Sequence, residues 1–208
     1  MLSHGDAVLR ILDRHGRLNP LLEAPWVKTR IFRIDWLHAA DQGVAADFLG
    51  NAIHYLREKF EGTKGEQYHA VFVEMDEYYM EENVSDRMDA LKPTFVEKST
   101  GMKLRCSAAK CRCLVPFAFR LAKELCDHSN PVEHAICTAA YHLKEVYSAL
   151  SATCPDPGSL MREHSTKFAL QYVALHDYLH ESDERLWRIQ PKLHLFMHLC
   201  SDGSKPSH

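Results

Sequence analysis

The chain has 208 residues, 46% of them hydrophobic, and a formal net charge of -3. At roughly 100–200 residues per domain this predicts one domain with one core. The mild acidity excludes a surface built throughout to coat nucleic acid, because duplex affinity rests on clustered Lys and Arg at phosphates, so any contact with DNA must be local.

The first residues carry Asp6, Arg10, Asp13 and Arg14, which leaves no apolar run of the kind a secretory leader needs. No stretch reaches the ~18 apolar residues of a membrane span. Seven cysteines, an odd number set mostly in helical patterns, indicate reduced thiols packed as small hydrophobes. The expected compartment is intracellular, nucleus or cytoplasm.

In chain order, Leu9, Ile11 and Leu12 predict a short helix over 5–15, closed by turn signals at Gly16 and Pro20. "WVKTRIFRID" is strand-like over 26–34, with β-branched and aromatic residues between Pro25 and Asp35. Val44, Phe48, Ile53, Leu56 and Phe60 follow helical spacing and predict a helix over 38–61, broken by Gly62 and Gly65. A second helix is read over 66–82, although "AVFVEM" within it also suits a strand. "LKPTFVEKSTG" is a connector with room for one short strand.

The C-terminal half is more regular. A helix over 104–126 places Leu104, Ala108, Cys111, Val115, Ala118, Ala122 and Leu125 on one stripe, with Pro116 inside it. A helix over 131–151 opens with Asn130 as N-cap, Pro131 at its first position and Glu133 where a capping box needs it. Its stripe is Val132, Ile136, Ala139, Leu143, Val146 and Leu150. A helix over 159–180 carries Leu160, His164, Phe168, Tyr172, Leu175 and Leu179. After a charged loop a last helix spans 192–200, and the polar residues 201–208 read as a flexible tail. The single mainly helical domain thus covers 1–200.

Four groups of residues can carry chemistry. Asp35, at the end of the strand-like segment and three positions before His38, is either a hard-cation ligand fixed by the strand or the cap of the helix that follows. His194 and His198 stand at i and i+4, a spacing that chelates zinc, but Leu195 occupies the place of the general-base Glu and no third ligand is assigned. Cys106, Cys111 and Cys113 lack the paired knuckles of structural zinc sites and, on a helix, do not share a face. Glu74, Asp76 and Glu77 read as a solvated helix face. Lys103, Arg105, Lys110, Arg112, Arg120 and Lys123 form a basic stretch without Asp or Glu between them, suited either to phosphate or to an ordinary solvated face. No Walker, GxGxxG or GxSxG motif is present.

Taken together, "RIDWLHAADQGVAADFLGN" and "PKLHLFMHL", separated by about 140 residues, resemble the middle portion of DDE-type transposases of the CACTA and Plavaka kind. In that family a D-x-x-H stretch before a glycine-containing helix start carries the second catalytic acid, which Asp35, His38 and Gly43 match. A K-x-H-x-x-x-H-like segment follows a helical insertion, which Lys192, His194 and His198 match. The resemblance implies a mainly α chain, a helical bundle-like insertion with a small remnant of an RNase H-like sheet. In the intact family three carboxylates hold two Mg²⁺ or Mn²⁺ ions for in-line attack on a DNA phosphate.

The chain departs from this pattern at both other acids. Only 34 residues precede Asp35, with Asp6 and Asp13 in a helix-like setting, and Asp202 lies in the polar end after His198. The reading is therefore a truncated or degenerate DDE-transposase-like protein without independent strand transfer and with no cofactor expected in the isolated chain. DNA or other transposase segments are its expected partners, with no membrane. The alternative is a helical protein-interaction module, and a third reading is a zinc-holding domain.

Overall fold

The computed structural model describes residues 35–202. The helix expected over 5–15 and the strand-like segment 26–34 lie outside them, as do residues 203–208. Contacts divide the chain between Asp35 and Trp36, and the unit beginning at Trp36 is the one built below.

It is mainly helical with one very small sheet. Helix α1 is wound as a π-helix over Leu37–Ala45 and as an α-helix over Ala46–Leu56, followed by a 3-10 turn at Arg57–Lys59. Helix α2 covers Lys64–Glu81 and the single turn α3 covers Pro93–Val96. Strands β1, Glu97–Lys98, and β2, Gly101–Met102, pair antiparallel with Glu97 opposite Met102. Then come α4, Ala108–Leu125, α5, Pro131–Ser148, α6, Pro157–Leu179, and α7, Pro191–Asp202. Helix α7 thus runs two residues into the segment expected to be tail.

Local chemistry explains most boundaries. Thr63 and Glu66 form a reciprocal capping box, the Thr63 N–H donating to Glu66 Oε2 at 2.7 Å, so α2 begins at Lys64 rather than at 66. Helix α4 begins at Ala108 under the Ser107 cap rather than at 104, because Leu104 donates its N–H to the Ala46 carbonyl across the fold. Asn130 Oδ1 accepts from the Val132 and Glu133 N–H groups at 3.0 and 3.4 Å, as its place before Pro131 predicts. Glu133 does not complete a capping box: its carboxylate takes the Asp127 N–H at 2.7 Å and Lys59 Nζ at 2.6 Å. Helix α5 stops at Ser148, so Leu150, expected on its inner stripe, is exposed, and Leu160 of α6 is exposed as well.

Helix α5 packs between α4 and α6, α7 lies along α6, and α1 closes against α4 and α7. Phe48 of α1, Phe168 and Tyr172 of α6, Phe196 of α7 and Trp187 from the α6–α7 loop meet ring to ring, with centroids 5.5–5.9 Å apart. Trp187 sits there fully buried at φ 48°, a left-handed conformation that is strained for a bulky residue. Asn51 Oδ1 holds its N–H at 2.8 Å, which ties the loop to α1. No helix of the described residues is long and apolar enough to cross a membrane.

Candidate functional site

The α6–α7 loop, α1 and the β1–β2 hairpin enclose a cleft of about 390 Å³, within the range of small-ligand sites. Helix α1 lends Asp47 and Asn51, the hairpin segment lends Lys98, Thr100 and Lys103, and residues 185–192 lend Arg185, Arg188 and Lys192. Tyr172 of α6 forms part of the wall.

Two glycines allow this close assembly. A Cβ on Gly50 would lie 2.4 Å from Lys103 Cα, so only glycine lets the hairpin backbone rest on α1. A Cβ on Gly43 would meet Lys192 Cδ at 2.9 Å, so the Lys192 stem lies directly against the π-helical part of α1. The first and last motif segments of the chain therefore meet at the cleft. Asn51 braces the wall, its Nδ2 donating to the Asp47 carbonyl at 2.8 Å and to the Met102 carbonyl at 3.3 Å.

The charges do not balance. Five cationic side chains line the cleft against one carboxylate, Asp47. Lys103 Nζ contacts Asp47 Oδ1 at 3.0 Å and donates to the Gln42 carbonyl at 2.7 Å. Arg185 is held by Asp183 at 2.6 Å. Arg188 donates to the Thr100 carbonyl at 2.7 Å. Among the described residues no carboxylate pairs with Lys98, Arg188 or Lys192. Burial pushes the Asp47 carboxyl above its ordinary range, and Lys103 pulls it part of the way back.

A second polar centre lies inside α1. Asp41 is fully buried in the π-helical segment. Its Oδ1 accepts from Tyr147 OH at 2.7 Å and from Trp36 Nε1 at 3.2 Å, while Oδ2 accepts from Arg112 at 2.5 Å. Burial, and then Asp41, pushes the Tyr147 hydroxyl well above its usual range. π-Helical windings recur at functional sites, but here the carboxylate is fully engaged by its own chain. Neither Asp41 nor the cleft follows from the motifs alone. The signal for Asp41 was a lone acid among Ala39, Ala40, Val44 and Ala45, all of them buried.

The residues singled out from sequence do not form one site. Asp35 is exposed just ahead of α1, His38 is exposed on its first turn, and Trp36 supplies no side-chain cap there. Of the basic stretch, Lys103 alone lines the cleft. Arg105 donates to the Glu97 carbonyl, Arg112 holds Asp41, Arg120 pairs with Glu81 and Glu124, and Lys123 is exposed. Lys110 is half-buried at the start of α4. His194 and His198 are exposed on α7 and meet each other, Nε2 to Nε2, at 2.9 Å, rather than a backbone or carboxylate group. Cys106 precedes α4, so the helical-face reasoning did not apply to it, and the buried Cys111 thiol hydrogen-bonds to it. All seven cysteines are free. Glu74 is half-buried and Asp76 and Glu77 are exposed on α2. No group of three or more His, Cys, Asp or Glu gathers to hold a metal among the described residues.

Comparison with protein-family models, with curated proteins and with solved structures finds no match.

Proposed function

We propose that this chain is the helical, nucleic-acid-engaging part of a DDE-transposase-like protein, holding strand phosphates in its cationic cleft without cutting or joining DNA by itself. One observation carries the reading: the two segments on which the transposase resemblance rests supply Asp47, Asn51 and Lys192 to a single cleft that also holds Lys98, Lys103 and Arg188. Surplus cations gain by neutralising phosphates and releasing counterions, so affinity falls as salt rises. Asp35, exposed ahead of α1, supplies one carboxylate, whereas two-metal strand transfer needs several around ions about 3.5–4 Å apart.

Fluorescence anisotropy with labelled single-stranded and duplex oligonucleotides tests this. The Lys98→Ala/Arg188→Ala/Lys192→Ala variant should bind at least about tenfold more weakly and show a shallower salt dependence. Equal binding by wild type and variant, or none by wild type at low salt, overturns the reading. Metal-dependent nicking abolished by Asp35→Ala would overturn its second half.

The rival reading, a protein-interaction module, has one observation in its favour. Leu170, Val173 and Tyr178 are exposed along α6. Replacing them by Ser would leave oligonucleotide binding intact if the cleft is the working surface.

A further inference from the structure

Helix α7 carries two exposed histidines that the cleft does not use, His194 and His198, one turn apart. Phe196, between them, is buried in the ring cluster of the core. The two Nε2 atoms lie 2.9 Å apart, whereas the ring centroids lie 4.4 Å apart with their planes at 90°. Neither ring meets a carboxylate or a backbone group among the described residues.

Those two distances show how the rings lean. Side chains at i and i+4 leave the helix about 5–6 Å apart at Cβ. The gap closes to 4.4 Å at the ring centres and to 2.9 Å at the nitrogens, so the rings tilt together like the sides of a tent. An imidazole lone pair points outward along the line from ring centre to nitrogen. Continued at the same slope, the two lines meet about one metal–nitrogen bond, about 2 Å, beyond the nitrogens. A ring turned about its own line keeps its lone pair on that line, so the right angle between the planes leaves the convergence intact. His142 and His164 make the contrast. Their Nδ1 atoms are also 2.9 Å apart, but their centroids are 5.1 Å apart, so those rings face end to end in a plain hydrogen bond and leave no apex for an ion.

From this geometry we infer that His194 and His198 chelate one transition-metal cation of tetragonal preference, of the Cu²⁺ or Ni²⁺ class, through their Nε2 atoms. Two bonds of about 2.0–2.1 Å that meet at a right angle span about 2.9 Å, whereas a tetrahedral angle needs about 3.3 Å. Imidazole also selects these ions over Mg²⁺ or Ca²⁺, which prefer oxygen. Without the ion, one hydrogen lies between the two Nε2 atoms. On binding, it passes through water to Nδ1 of the same ring, so both lone pairs face the cation and no net proton is released. With no third side-chain ligand gathered among the described residues, water fills the remaining positions. Leu195 in place of a general-base Glu bears on hydrolysis and not on holding the ion. The clip joins the turns of α7 on either side of Phe196, and it stands independently of what the cleft binds.

Calorimetric titration with CuCl₂, NiCl₂ and ZnCl₂ near neutral pH, in a non-chelating buffer and with accessible thiols capped by N-ethylmaleimide, tests the inference. One equivalent of Cu²⁺ should bind with a Kd below about 100 µM, more tightly than Ni²⁺ and Zn²⁺. His194→Gln and His198→Gln should each weaken it at least about tenfold, since losing a ligand costs no less than losing a group that merely orients one. The His176→Gln/His180→Gln variant should retain it. A Cu²⁺ electron-paramagnetic-resonance spectrum of the capped wild-type chain, which needs no variant, should show a tetragonal ion split by two nitrogens. Absence of binding, an oxygen-only spectrum, Zn²⁺ binding more tightly than Cu²⁺, or full-strength binding in His194→Gln/His198→Gln overturns the assignment.

Discussion

Asp41 and Asp47 lie six residues apart on the same helix and face opposite situations. Asp41 is fully buried, and a tyrosine, a tryptophan and an arginine saturate it. Asp47 opens on a cleft where Lys98, Arg188 and Lys192 meet no carboxylate among the described residues, Lys103 being taken by Asp47 itself and Arg185 by Asp183. A buried carboxylate with every contact met is a structural fastener, since nothing is left over for a ligand. A half-open carboxylate among unpaired cations leaves charge for something else to neutralise. Among the described polar groups, the cleft is therefore where an anionic partner gains most.

The largest effect should come from opening the fastener. Arg112→Met leaves the Asp41 carboxylate buried with only Tyr147 and Trp36, and an uncompensated buried charge costs about 3 kcal/mol. The urea unfolding midpoint measures it. A loss under about 1 kcal/mol would mean that Asp41 finds water, and the contrast with Asp47 would fail.

The next effect concerns the wall between the two regions. Gly50→Ala drives a methyl group into the Lys103 backbone, where no flexible side-chain end can yield. Overpacking of this kind costs about 2 kcal/mol. It should also weaken oligonucleotide binding by displacing Lys103 from Asp47. Stability unchanged in the variant would show that the hairpin is not seated on α1 as described.

How far these regions could be read from sequence follows from the range of the interactions. The start of α5 was legible because Asn130 and Pro131 act on their own neighbours. The mainly helical class with little strand was legible from the stripes of Ile136, Leu143 and Val146, all of them buried. The start of α4 was not, because the partner of Leu104 is Ala46, far away in sequence. The cleft was illegible for the same reason: positions 47, 98, 103, 188 and 192 converge only after folding. Lys103 was picked out by the local bias of the basic stretch, but Arg112, from the same stretch, serves Asp41 instead.

Acid should affect the helix pair α5 and α6, away from both carboxylates. His142 and His164 are buried with Nδ1 atoms 2.9 Å apart, so one donates and the other must stay neutral. Burial, and then His164, holds His142 below its ordinary value; Lys167 opposes its charge, and Glu163 and Glu145 favour it. The unfolded chain therefore takes up the proton first. The contribution is fully present above the unfolded value near 6.5 and is lost as pH falls through the lower folded value. The urea midpoint should drop between about pH 7.5 and pH 5.5, and less so in His142→Gln. An equal drop in both would assign the loss to other groups, among them His54, which burial also lowers.

The smallest effect on stability should come from the cleft itself. Lys192 pairs with no carboxylate among the described residues, and its stem rests on Gly43. Lys192→Ala should change the unfolding free energy by under about 0.5 kcal/mol, as surface substitutions away from special features do. A small gain is the more informative result, because removing one of several like charges relieves repulsion in the empty cleft. The same substitution should lower oligonucleotide affinity and its salt dependence, so the two measurements move independently. If Lys192→Ala instead destabilises the chain as strongly as Arg112→Met, Lys192 is a fastener like Arg112, and the cleft loses its claim to surplus charge.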